Sequence, residues 1–410
     1  MSTIRPLADG AVTAPHGFQA AGVACGLKPT GAADLALIYS SAPCVAAAMF
    51  TANLFQAAPV IYDRALLAGN ASHVRAVAIN SGCANACTGA QGLADAQATA
   101  AAVATQLGLA ADEVMVMSTG VIGQPLPMAK ILAGVADAAT ALKPGLAAGH
   151  AAARAIMTTD TRPKECAVEV SAPAGEFTVG GMVKGAGMIH PNLATMLCLL
   201  TSDVQITPEL ADRALRRAVE CSFHRITIDG DTSTNDTVLL LANGAADAAV
   251  PITSADSAEY TAFVAGLTHV AADLARAMVR DGEGATRFIE ITVRGARDDA
   301  EARQVGMSVA RSQLVKTAIY GQDANWGRII CAVGYSGAAF DPDRVGVWLG
   351  DLELVRAGAP FHIDEARAAE ILAQPDVPVA IDLGQGEAEL TVWTCDLSHG
   401  YVDINAHYRT

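Results

Sequence analysis

A chain of 410 residues can enclose a large core and more than one domain. Hydrophobic residues make up 52% and charged residues 17%, which excludes a disordered chain and predicts a packed globular body. The formal charge of −15 argues against a nucleic-acid partner, while leaving room for a local cationic pocket that takes a small anion.

Strand-like and helix-like segments alternate along the chain and predict a mixed α/β architecture in layers. The N-terminal MSTIRPLADGAV lacks a basic stretch followed by an apolar one, so no secretion signal is read. Residues 74–79 read as a strand, 92–109 as an Ala-rich helix, and 114–117 as a short strand ending in the polar turn Ser-Thr-Gly. Residues 177–183 form another expected strand, and residues 195–200 are apolar again. Thr207, Pro208 and Glu209 spell a helix start, with an N-cap hydroxyl, a proline in the first turn and an early acid, and this helix should run to about Cys221. A long helix is expected over 257–280, broken by Asp-Gly-Glu-Gly, then a strand over 288–293. Residues 379–383 and 388–393 flank Gly-Gln-Gly-Glu and predict a hairpin. No apolar run is read as long enough to cross a bilayer, so no membrane partner and a cytoplasmic location are expected. The nine scattered cysteines, most in apolar contexts such as Cys198 and Cys331, are expected to be buried free thiols. Cys83 and Cys87 are the one close pair; no second pair completes a zinc site, and no metal is expected.

The run GGMVKGAGMIHPNLATMLCLLTSD, from Gly180 to Asp203, carries the chemistry. Gly181, Gly185 and Gly187 can free the backbone for a strained conformation, and Lys184 is a lone cation among them. Thr195 stands where the glycine-rich loop meets the apolar segment. If the chain were cut just before it, the new α-amine would lie on the same residue as the hydroxyl and could act as its base. His190, in the turn-like His-Pro-Asn, is as well explained by a structural hydrogen bond as by catalysis. In SFHRITIDGDTSTNDT no nucleophile elbow occurs, and Asp229, Asp231, Asn235 and Asp236 read chiefly as turn and capping groups. GGMVKGAG lacks the Gly-Lys-Ser/Thr ending of a phosphate loop.

GMVKGAGMIHPNLATMLCLLTSD, SFHRITIDGDTSTNDT, DGEGATRFIEI, VKTAIYGQDANWGRI and the early GLKPTGAADLALI together resemble the ornithine acetyltransferase / glutamate N-acetyltransferase family of arginine biosynthesis, from about Phe18 to the last residue. The resemblance implies the fold of a self-processing N-terminal nucleophile protein with α/β layers. It implies self-cleavage between Ala194 and Thr195, giving an α chain of residues 1–194 and a β chain of residues 195–410 that begins with the nucleophile Thr195. It places the oxyanion-hole pair on Thr119 and Gly120, with the neighbouring Ser118 hydroxyl left open as a competitor. Substrate contacts fall on Thr158, Lys184, Thr195, Glu283, Asn405 and Thr410.

The activity implied is transfer of acetyl from N2-acetyl-L-ornithine to L-glutamate, with no cofactor. Acetyl-CoA is an additional donor in bifunctional members, a point no short motif settles. The mature form implied is a heterotetramer of two α and two β chains. A self-processing amidohydrolase or aminopeptidase is the nearest alternative, and a nucleotide-binding regulatory protein is one from another class.

Overall fold

The structure is a computed structural model that describes residues 3–190, 196–247, 251–362 and 364–407. Within them the strands are β1 (Thr3–Pro6), β2 (Phe18–Val23), β3 (Leu35–Phe50), β4 (Val74–Cys83), β5 (Val114–Val121), β6 (Lys164–Ala172), β7 (Gly175–Lys184), β8 (Leu197–Ser202), β9 (Thr237–Ala242), β10 (Phe288–Ala296), β11 (Gly346–Leu349), β12 (Leu352–Arg356), β13 (Ala359–Pro360), β14 (Asp376–Asp382) and β15 (Ala388–Cys395). The helices are α1 (Ala58–Gly69), α2 (Gly89–Leu107), α3 (Met128–Ala141), α4 (Leu146–Ala155), α5 (Pro208–Glu220), α6 (Ala258–Arg280), α7 (Asp299–Arg311), α8 (Gln313–Tyr320), α9 (Trp326–Gly334), α10 (Glu365–Leu372) and α11 (His399–His407). The mixed α/β expectation is met.

The chain divides into two compact units. The first takes residues up to 224 with Asp231–Met278; the second takes Arg225–Gly230 with the described residues from Val279 to His407. The expected junction at 194/195 lies within the first unit's span, and residues 194 and 195 themselves are outside the described residues.

The first unit is built on a sheet in the order β1-β6-β7-β8-β9-β3-β4-β5, with β2 also paired to β3. Strict alternation on its central strands buries both faces. Ala76, Ala78, Val114 and Val116 join one core with Ala96, Ala100 and Val103 of α2 and Ile131 and Val135 of α3. Val77, Ile79, Met115 and Met117 join the other, with Ala152, Ala153 and Ala155 of α4. The expected helix over 92–109 is α2, which ends at Gly108 because that residue takes a left-handed conformation at φ 67°. Thr207 caps α5 as expected, its hydroxyl accepting from the Leu210 N–H.

By length and composition α6 could cross a membrane, which the sequence reading did not anticipate. It is nevertheless a core helix, with Phe263, Leu267, Val270, Leu274 and Met278 all buried. Gly181 has its purpose here. A Cβ on it would lie 2.8–3.0 Å from Leu200, Leu274 and Val270, so this glycine allows close helix–sheet approach rather than the strain expected of it.

The second unit holds a sheet in the order β13-β12-β11-β14-β10-β15. The expected hairpin is corrected here. Both strands form, but β10 lies between them, parallel to β14 and antiparallel to β15. The intervening turn bonds to β10 instead, with the Gln385 and Gly386 N–H groups both donating to the Gly295 carbonyl at 2.9 Å. None of the nine cysteines is in a disulfide; Cys198 is buried as expected, but Cys331 and Cys87 are exposed.

Candidate active site

The alternation that builds the core also sorts the polar residues at the strand ends. Thr119 continues the face of Met115 and Met117, and its Oγ1 accepts a hydrogen bond from Lys184 Nζ at 3.1 Å. Ser118 continues the face of Val114 and Val116, and its hydroxyl donates to Asn80 Oδ1 at 2.6 Å. The two hydroxyls thus lie on opposite faces, with Ser118 committed to Asn80 and Thr119 facing Lys184. Gly120 follows at φ 130°, and a Cβ there would lie 2.3 Å from the Gly82 carbonyl carbon, so β4 and β5 meet at a point no side chain can occupy.

Lys184 is buried. One of its donors fixes the Thr119 hydroxyl rotor, which leaves the Thr119 proton to be donated elsewhere.

Asp160 is the electrostatic hub beside it. Its Oδ1 accepts from Lys164 Nζ at 2.5 Å and from the Gly185 N–H at 2.7 Å, and its Oδ2 accepts from the Thr158 N–H at 2.9 Å. One carboxylate therefore ties the turn carrying Thr158 to the loop that follows Lys184. Burial pushes the Asp160 carboxyl up, but the charges of Lys164 and Lys184 and these hydrogen bonds outweigh it and bring it down to about 2. Lys28 feels the same group: burial lowers its pKa most, Asp34 and Asp160 oppose that, and Lys184 adds to it. Its ammonium donates to the Ala33 carbonyl at 2.7 Å, and the Lys28 N–H donates to Asp34 Oδ2 at 2.9 Å. Three buried or half-buried lysines around one aspartate suit an anionic ligand on an otherwise acidic protein.

Asn235 and Asp236, expected to be turn and capping groups, are instead buried beside β5 and β8. Asn235 Nδ2 donates to the Ser118 carbonyl at 2.8 Å and to the Ala84 carbonyl at 2.6 Å. Asp236 Oδ1 accepts from the Met196 N–H at 2.9 Å. Sequence reasoning passed over Lys28, Asp160, Lys164, Asn235 and Asp236. Their signal was a cluster of polar side chains abutting fully apolar strand segments, as Asn-Asp-Thr abuts Val-Leu-Leu-Leu at β9.

In the second unit, Asn405 Nδ2 donates to Glu283 Oε2 at 2.8 Å, so two expected substrate contacts form one pair. Asn405 lies on α11, and the chain end is therefore helical at least to His407. The expected residues Ala194, Thr195 and Thr410 lie outside the described residues. Among the described residues no cluster of His, Cys, Asp or Glu could hold a metal ion.

Known proteins are similar to this chain along nearly its whole length. An arginine biosynthesis bifunctional protein ArgJ of Symbiobacterium thermophilum is 50% identical over 403 residues, covering 98% of this chain and 99% of that protein. The protein of the same name from Parasynechococcus marenigrum is 46% identical, covering 98% and 96%. A solved ornithine acetyltransferase from Mycobacterium tuberculosis, complexed with ornithine, is 49% identical and covers 47% of this chain and 100% of its own, with a TM-score of 0.44. The profile of the ArgJ family matches residues 19–410, and the chain belongs to that family.

Proposed function

We propose that this chain moves acetyl from N2-acetyl-L-ornithine to L-glutamate through an acetyl ester on Thr195, after scission of the Ala194–Thr195 bond. Family membership makes it an acetyltransferase of arginine biosynthesis. The observation that carries the catalytic reading is the Lys184–Thr119 contact beside Gly120, at the end of β5.

The α-amine of Thr195, with a pKa of about 8 in an unperturbed chain, takes the hydroxyl proton as Oγ1 attacks the acetyl carbonyl. The carbonyl electrons move onto oxygen, where the Thr119 hydroxyl and the Gly120 N–H receive them. A donor of this kind is worth about 3–4 kcal/mol. Lys184, by donating to Thr119, polarises that hydroxyl toward the oxyanion. Collapse expels ornithine, whose amine regains the proton from the Thr195 ammonium. The glutamate amine then attacks the ester, releases N-acetylglutamate and restores the threonine.

The cationic set of Lys28, Lys164 and Lys184 supports binding of the carboxylate common to both amino acids, with Thr158 placed by the same Asp160. Glu283 is assigned the cationic end of ornithine, with Asn405 holding its carboxylate. Thr410 is assigned a further polar contact. The relatives named bifunctional support acetyl-CoA as a second donor. A cytoplasmic heterotetramer of two α and two β chains is the assembly proposed, with no cofactor.

A denaturing gel tests the reading. The purified protein should give fragments 1–194 and 195–410, the second beginning Thr-Met-Leu-Cys, and enzyme given acetylornithine alone should carry acetyl on that fragment. An intact, unacetylated but active chain would overturn it. Counting acetylglutamate against free acetate separates transfer from hydrolysis.

A further inference from the structure

Two consecutive side chains before β9 hold two different strands. Asn235 Nδ2 bridges the carbonyls of Ser118 and Ala84, while Asn235 Oδ1 accepts from Thr234 Oγ1 at 2.6 Å, so the amide has one orientation. The Ser118 carbonyl belongs to the same peptide unit as the Thr119 N–H. Asp236 Oδ1 takes the Met196 N–H, and the Thr237 N–H donates to the Met196 carbonyl at 3.0 Å. Met196, the residue next to position 195, is thereby held at both of its peptide groups. The Asp236 carbonyl is anchored in turn by the Thr51 N–H at 3.0 Å. Adjacent Cα atoms are about 3.8 Å apart, so a single peptide unit separates the side chain that reaches β5 from the side chain that reaches the start of β8.

A purely structural account fits Asp236 poorly. The residue is fully buried, and its Oδ2 has no hydrogen-bond partner among the described residues. Burial pushes its carboxyl well above the usual carboxylate range, opposed by the Met196 N–H, by Lys184, by the Ser233 N–H and by the Thr51 hydroxyl. A well-packed apolar residue would be as stable or more so at such a position.

We propose that Asn235 and Asp236 are positioning residues that set the register between the nucleophile and the oxyanion donors, Asn235 holding the Ser118–Thr119 peptide and Asp236 holding the residue after the nucleophile. The inference rests on Thr195 being that nucleophile. It concerns alignment, so it acts on turnover rather than on binding.

The test is steady-state acetyl transfer by the purified, processed enzyme. Asp236→Ala and Asn235→Ala should each lower kcat about 100-fold, the scale expected for misalignment of about 1 Å, with KM within about threefold of the parent. The double variant should lose little more than the worse single one, because the two residues form one device. Asp236→Asn keeps an oxygen for the Met196 N–H and should recover at least about tenfold over Asp236→Ala. A rise in KM in place of a fall in kcat, full additivity, or an Asn variant no better than Ala would overturn the proposal.

Where an alanine variant fails to fold by circular dichroism, the ranking of Asp236→Asn above Asn235→Asp decides. The latter turns a carboxylate oxygen toward two carbonyls, and the reverse order overturns the proposal. Absence of an acetylated 195–410 fragment in the parent enzyme would instead sink the nucleophile reading. Its presence, with parental kcat in the variants, would sink only this inference.

Discussion

The nine-stranded sheet ends its central strands in buried polar side chains, among them Asn80, Ser81, Ser118, Thr119, Lys184 and Asn235. The core on the six-stranded sheet is largely aliphatic, from Ile289, Ile291 and Val293 to Val377, Val379 and Ile381, with a smaller polar cluster at the end of β15, where buried Lys316 donates to buried Thr394 at 3.0 Å. Ion pairs near that second sheet, such as Arg294–Asp382 and Arg367–Asp351, remain open to solvent. Buried polar groups are tolerated where each finds a partner, and a cluster of them at one set of strand ends marks where stability yields to chemistry. The second sheet meets less of that demand and is chiefly a packing problem.

The largest effect should come from breaking the polar side of this contrast. Lys164→Met leaves Asp160 without its closest cation, and both side chains are almost fully enclosed. The loss should be about 3–5 kcal/mol in urea unfolding. The same pair predicts the acid limb. Asp160 titrates at about 2 when folded, below its ordinary value of 3.8, so its stabilisation is complete above about pH 4 and is lost as pH falls through about 2. Lys164→Met should flatten that part of the stability–pH curve.

Thr119→Ala comes next and should separate activity from stability. Turnover should fall about 10²–10³-fold while the melting temperature hardly moves. Parental turnover would reduce Thr119 to a strand-end hydroxyl. In the aliphatic sheet the outcome should invert: Ile291→Ala should cost about 3 kcal/mol of stability by urea unfolding, with kcat of the folded fraction preserved. The smallest effect belongs to the surface. Arg367 reaches Asp351 at 3.1 Å and Glu370 at 2.9 Å while half exposed, and Arg367→Ala should cost less than about 1 kcal/mol, shrinking further at high salt.

Local signals were legible in the sequence, and non-local ones were not. The start of α5 could be read because a cap, a proline and an acid act within one turn. The strands β14 and β15 could be read individually, yet their pairing could not, because β10 inserts between them from about ninety residues upstream. Thr119, Gly120 and Lys184 were named through family resemblance, and the strand parity that commits Ser118 elsewhere became visible only once β4 and β5 were paired. Asn235 and Asp236 look like turn residues in one dimension. Their partners lie at Ala84, Ser118 and Met196, distances along the chain that no window of sequence spans.

The strand order has a consequence for assembly. β8 and β9, which follow position 195, sit between β7 and β3, which precede it. A chain cut before Thr195 would be two interleaved polypeptides sharing one sheet, not two modules lying side by side. Neither fragment alone could close the sheet, so in such a chain folding would have to precede the cut. Once separated by denaturant, the fragments would have to find each other in a bimolecular step, and recovery of the native enzyme would then depend on protein concentration, as it does for a split protein reassembled from its halves.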